Sequence, residues 1–172
     1  MYSPWLILPL IVMQAPPVPV SEVEAKDLPS APRGPMAPKG RDGGAEKGIL
    51  GETRRMSRRG NSIPALQLPA GNVRVKDKIP DISGWRAYAI EVPGGGSVKV
   101  QVVEGRKAWF RVLGVNAWGR EEVGLLQNRI PSGEPRATYK NPSSETRTIY
   151  FIVDTLDAQM VGDAFTVEVT RG

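Results

Sequence analysis

The clearest pattern in the chain lies in residues 145–170, ETRTIYFIVDTLDAQMVGDAFTVEVT. In its second half Phe165, Val167 and Val169 alternate with Thr166, Glu168 and Thr170, the two-residue period of a half-buried strand. In its first half Ile149, Phe151 and Val153 share one face, while Tyr150 and Ile152 load the other. A strand apolar on both faces is expected at the centre of a sheet, and the alternating run after it is expected to close the core.

The same period recurs upstream. Residues 72–78 (NVRVKDK) read as a short first strand. In residues 85–92 (WRAYAIEV) Tyr88, Ile90 and Val92 share a face. In residues 97–103 Val98, Val100 and Val102 point in while Lys99 and Gln101 point out. In residues 107–115 Phe110 and Val112 lie opposite Trp109, Arg111 and Leu113. The middle is less regular, with short strands expected at 122–127 and 136–140. Glycine and proline clusters at 93–97, and the groups at 104–106 and 141–144, punctuate these runs as turns. Many short strands at this spacing predict an all-β chain with a single antiparallel β-sandwich, jelly-roll or Ig-like, over residues 72–172.

The first 71 residues lack this period. Residues 1–20 carry no charged side chain, and Trp5, Leu6, Ile7 and Leu8 begin an apolar run ending at Met13. That run has the length of a signal-peptide core and is too short to span a bilayer, which needs about 20 apolar residues. No Lys or Arg precedes it, and Pro16-Pro17 directly follow the small residue Ala15, so two alternatives to an export signal stand. One is an uncleaved apolar peg seated in a membrane interface or a partner's groove. The other is an apolar terminus with no role. Residues 21–71 are a Pro/Gly-rich linker, expected as a long extended tether outside the sandwich. A helical turn or two is expected at 45–56.

Charge sharpens this division. The chain has a formal net charge of +5. Residues 21–78 hold 12 Lys/Arg and 7 Asp/Glu, whereas residues 79–172 hold 11 of each. Residues 79–172 are therefore neutral and the basic character belongs to the residues before them. Arg54, Arg55, Arg58 and Arg59 concentrate it, in a pattern that can contact nucleic-acid phosphates or anionic lipid headgroups, against the commoner role of a solvated charge cluster that keeps a linker soluble. No aromatic side chain is interleaved to stack a base, which argues against specific nucleic-acid recognition. The run Arg54-Arg55-Met56-Ser57 also fits a basophilic kinase site, a short motif that recurs by chance.

The chain has no cysteine and no histidine. Disulfides, thiolate metal sites and cysteine nucleophiles are excluded, and the commonest general base and metal ligand are missing. Two constellations remain. Asp154, Asp157 and Asp163 bracket the last hairpin and offer oxygen ligands for Ca²⁺, but their spacing fits no EF-hand loop and turns often use Asp locally. Trp85, Tyr88, Trp109 and above all Trp118 are candidates for an aromatic platform under a sugar ring, against the commoner role of aromatics as packing residues. No metal, cofactor or small-molecule substrate is expected.

The order of motifs carries a resemblance. A Tyr-containing strand ends in Val-Pro-Gly-Gly-Gly (92–96), a Val-rich strand and a polar insert follow, and Thr-Ile-Tyr-Phe-Ile-Val (148–153) precedes a closing Ala-Phe-Thr-Val-Glu-Val (164–169). Residues 85–170 resemble the bacterial pre-peptidase C-terminal domain, a jelly-roll β-sandwich appended to secreted enzymes. Where that family has an Asp-Leu-x-Leu-like strand, this chain has Trp109-Phe110-Arg111-Val112-Leu113. The resemblance implies an extracytoplasmic accessory module with no catalytic residues to carry over. The expectation is a non-enzymatic module, periplasmic, cell-surface or secreted, with possible contact to a membrane surface. It would dock to protein partners in a larger assembly through its N-terminal tether. The alternative expectation is a secreted carbohydrate-binding module.

Overall fold

The computed structural model describes residues 18–32, 63–80, 84–107, 110–117, 121–123, 135–155 and 162–172. These contain ten strands and one 3₁₀ turn. The first is β1 (Ser21–Glu24), followed by the 3₁₀ turn (Ala25–Asp27) and β2 (Leu66–Gln67). Then come β3 (Val73–Lys78), β4 (Trp85–Val92), β5 (Ser97–Glu104) and β6 (Phe110–Val115). The last four are β7 (Glu121–Val123), β8 (Arg136–Lys140), β9 (Arg147–Thr155) and β10 (Ala164–Arg171).

They form two five-stranded sheets, ordered β1-β3-β10-β5-β8 and β2-β4-β9-β6-β7. The sheets pack face to face as a sandwich. β9 and β10, consecutive in sequence, are the central strands of opposite sheets. Val98, Val100 and Val102 from one sheet meet Tyr88, Ile90, Ile149, Phe151 and Val153 from the other in a shared core. Phe110 and Phe165 cross between sheets with ring centroids 5.2 Å apart at 46°, a tilted arrangement suited to the aromatic quadrupole.

The expected pattern holds through this region. β4 and β8 have the bounds read from sequence, and Tyr88, Ile90 and Val92 share the core face as expected. β6 begins at Phe110 rather than 107. The short strand expected at 122–127 is found at Glu121–Val123, and residues 124–127 lie outside the described ones.

β9 explains its double apolar pattern. Its second face, Tyr150 and Ile152, joins Trp85, Ala87, Ala89, Leu113 and Val115 on the outside of the β4–β9–β6 sheet, all buried. Ile63 and Ala65 belong to this outer cluster, with Ala31 packed against it. The outside of this sheet is thus a second, smaller core, and residues from the Pro/Gly-rich segment help to close it.

The all-β sandwich is as expected, but residues 21–71 do not lie wholly outside it, and their strands add parallel pairings to otherwise antiparallel sheets. β1 pairs with β3 and β2 with β4, both parallel. Ala25 is buried in the main core, and Leu28 and Leu66 pack against it. A bridge between Ser30 and Leu66 brings the two described pieces of the segment together. There the Ala31 N–H donates to the Ala65 carbonyl at 2.8 Å and the Gln67 N–H to the Pro29 carbonyl at 2.8 Å. Residues 29–31 and 65–67, on either side of the stretch 33–62, are therefore fastened to each other. The apolar run at Trp5 to Leu8, the helical turn expected at 45–56 and the Arg54–Arg59 cluster lie outside the described residues.

A polar lock organises the far end. Asn141 is fully buried. Its amide donates to the carbonyls of Val92 (2.9 Å), Pro93 (3.1 Å) and Glu145 (2.7 Å). Its oxygen accepts from the Ser143 N–H (3.1 Å) and hydroxyl (2.8 Å). The turn after β8 is thereby tied to the end of β4. Gly94 lies so close beneath it that a Cβ would sit 2.2 Å from the Ser144 carbonyl oxygen. Replacing Asn141 with Ala removes the donor from the buried Val92 carbonyl and from the part-buried carbonyls of Pro93 and Glu145. The expected loss is about 3 kcal/mol of unfolding free energy by urea titration, a destabilisation several times that of an average surface change.

Candidate ligand pocket

Two charged residues occupy inward-facing positions. The core face of β3 reads Val73, Val75, Asp77, and that of β4 reads Arg86, Tyr88, Ile90, Val92, following the two-residue period. The strands belong to opposite sheets, so Asp77 and Arg86 meet across the gap at one end of the sandwich. Arg86 Nε lies 2.8 Å from Asp77 Oδ2, and Nη2 donates to Oδ1 at 3.0 Å. The Nε–H is not aimed along its contact, which is therefore ionic rather than a directed hydrogen bond.

Asp77 has further donors. The Tyr88 hydroxyl donates to Oδ2 at 2.7 Å and the Lys78 backbone N–H to Oδ1 at 2.7 Å. The Asp77 side chain is 3% exposed and that of Arg86 29%. A carboxylate this enclosed is tolerable only with donors on both oxygens, which it has.

Beside the pair opens a cavity of about 760 Å³. Ala25, Leu28, Leu66 and Phe165 form its buried and half-buried lining. Lys26, Lys76, Lys78 and Glu24 are exposed at its mouth. Lys76 lies 3.5 Å from Glu22 in an exposed pair of small energetic weight. On another wall the Thr166 hydroxyl donates to Glu104 Oε2 at 2.5 Å. The turn after β5 closes against β10 through Gly105, whose φ of +99° and close approach to the Ala164 carbonyl (2.8 Å from a built Cβ) both favour glycine.

The structure separates the residues singled out from sequence. Tyr88 does not serve an aromatic platform, because its ring is enclosed between the sheets and fully buried. Its core-facing register with Ile90 and Val92 is the reason. Trp109 and Trp118 lie outside the described residues. Asp154 pairs with Arg111 on the outer face of the β4–β9–β6 sheet. Asp163 lies 3.6 Å from Arg106, and Asp157 is outside the described residues. Among the described residues no group of three or more acidic side chains is placed to hold a metal. No helix among them is long and apolar enough to cross a membrane.

Sequence reasoning missed Asp77 and Arg86, although a signal was present. Each interrupts a core-facing series of valines or other apolar residues, and a charge in such a register calls for a partner.

The architecture is that of a β-sandwich module with an open pocket of mixed charge at one end. No known protein family's profile matches the chain, and no curated protein matches it. Among solved structures it is similar to the pre-peptidase C-terminal domain of a collagenase from Bacillus anthracis. That likeness has 14% identity and a TM-score of 0.42, and covers 65% of this chain and all of that one. The solved domain is of the family whose motif order residues 85–170 resemble. The sandwich itself rests on the strand pairing described above.

Burial, with the Asp77 charge next to it, holds the Tyr88 hydroxyl well above its ordinary pKa. In the unfolded chain the phenol ionises near its ordinary value of about 10. Above that pH the unfolded chain releases a proton that the folded chain retains, so stability falls as pH rises. Tyr88→Phe should cost about 1 kcal/mol near neutrality through its lost hydrogen bond. Above pH 10 the variant's stability should decline less steeply than the parent's in urea titrations across pH.

Proposed function

We propose that the chain is a non-catalytic, extracytoplasmic β-sandwich module. It acts as an accessory or structural subunit of a larger protein assembly and docks through its N-terminal segment. One observation carries this reading: the described residues on either side of 33–62 are joined to each other on the sandwich by the Ser30–Leu66 bridge. This stretch holds 8 Lys/Arg and 3 Asp/Glu, so the whole net charge of the protein resides there. A neutral scaffold that fastens the residues flanking a basic stretch suits attachment to an acidic protein surface. The apolar run from Trp5 to Leu8 supplies a second contact, in a partner's groove or at a membrane surface. The absence of histidine and cysteine, and the mutual pairing of Asp77 with Arg86, favour binding over catalysis.

Replacing Arg54, Arg55, Arg58 and Arg59 together with Ala tests this. Recovery of the tagged protein in its native assembly should fall by about tenfold at physiological salt, with a weaker dependence on ionic strength than the parent. Unchanged recovery of a folded variant would show that the basic stretch is not the attachment.

A further inference from the structure

We propose that the pocket at the Asp77 end of the sandwich binds a small organic carboxylate with an apolar body. The argument begins with the way Arg86 is held. Asp77 occupies its Nε and Nη2 edge, and Asp77 is itself fixed by the Tyr88 hydroxyl and the Lys78 N–H. The guanidinium is thus clamped along one side. Its Nη1 group has no hydrogen bond among the described residues, and the residue lines the cavity. A guanidinium fixed in this way offers planar donors in a set direction, the geometry that a carboxylate matches.

The surroundings select the rest of the ligand. Lys26 and Lys78 stand at the mouth with no ion pair among the described residues and add long-range attraction for an anion. Leu28, Leu66 and Phe165 line the interior and receive a hydrocarbon body. The volume lies within the range of small-molecule pockets. Glu24, Asp77 and Glu104 offset three of the four cations of the lining (Lys26, Lys76, Lys78 and Arg86), so one positive charge remains, which a single carboxylate neutralises and a dianion exceeds. A monoanionic amphiphile fits these demands together, and neither a neutral hydrocarbon nor a phosphate monoester does.

The test titrates the full chain with decanoate, decanol and decyl phosphate, following backbone amides by two-dimensional NMR. Decanoate should saturate with a Kd below about 1 mM and shift the amides of Leu28, Leu66 and Ala164. Decanol and decyl phosphate should each bind about tenfold more weakly. Arg86→Lys, which keeps the charge and loses the fork, should weaken decanoate by about tenfold. The exposed double change Lys26→Ala/Lys78→Ala should weaken it several-fold with the amide spectrum otherwise intact, and this variant decides the matter if Arg86→Lys does not fold. Equal binding of decanol, equal or tighter binding of decyl phosphate, decanoate shifts confined to other parts of the sandwich, or no decanoate binding up to about 10 mM would each overturn the proposal.

Discussion

A sheet that is apolar on both faces requires a cover on both, and this requirement shapes the whole chain. β9 sets it, with Ile149, Phe151 and Val153 facing the opposite sheet and Tyr150 and Ile152 facing away. The first set is met by the valines of β5, β3 and β10. The second is met in part by Ile63, Ala65 and Ala31, which come from the segment that precedes the sandwich. Burial of this second face, at roughly 25 cal/mol for each Å² of apolar surface removed from water, gives that segment a reason to remain docked. The parallel pairings of β1 and β2 supply the hydrogen bonds that such docking needs.

The N-terminal segment consequently has two characters. Its pieces at 18–32 and 63–71 are parts of the fold, closing one end of the core through Ala25, Leu28 and Leu66. Arg171 strengthens the junction by donating to the carbonyls of Gly71 (2.8 Å), Glu91 (2.7 Å) and Pro69 (2.8 Å). The same closure creates the pocket, because the 3₁₀ turn and Leu66 form walls that the sandwich alone would lack. Structure and candidate site therefore share a cause.

Most strands from β3 to β10 were legible because they carry an alternating series, as with Val98, Val100 and Val102, that only a sheet face explains, and β9 because both its faces are apolar, whereas β7 (EEV) is too short to show a period. β1 and β2 were not, since four residues (SEVE) and two (LQ) are too short for any period, and a proline-rich neighbourhood argues for extended linker. Parallel pairing with strands more than 20 residues away leaves no local turn signal either. In the pocket, Tyr88 was noticed for its ring, whereas its hydroxyl is the part that acts. The Asp77–Arg86 pair depends on which strands face each other across the two sheets, and no run of residues displays that. Asn141 looked like an ordinary turn residue, but its burial and its five hydrogen-bonding contacts come from the ends of three strands converging on it.

The position of β9 and β10 has a consequence for biosynthesis. They are the middle strands of both sheets, yet they are the last two of the ten strands to leave the ribosome. Until they emerge, β3 has no route to β5, and β4 has none to β6. Until then β3 and β5 have only their outer partners, β1 and β8, and their inner edges stay open to the mispairing that unfinished sheet edges invite. Folding then waits on long-range contacts, which places this sandwich among slow-folding topologies.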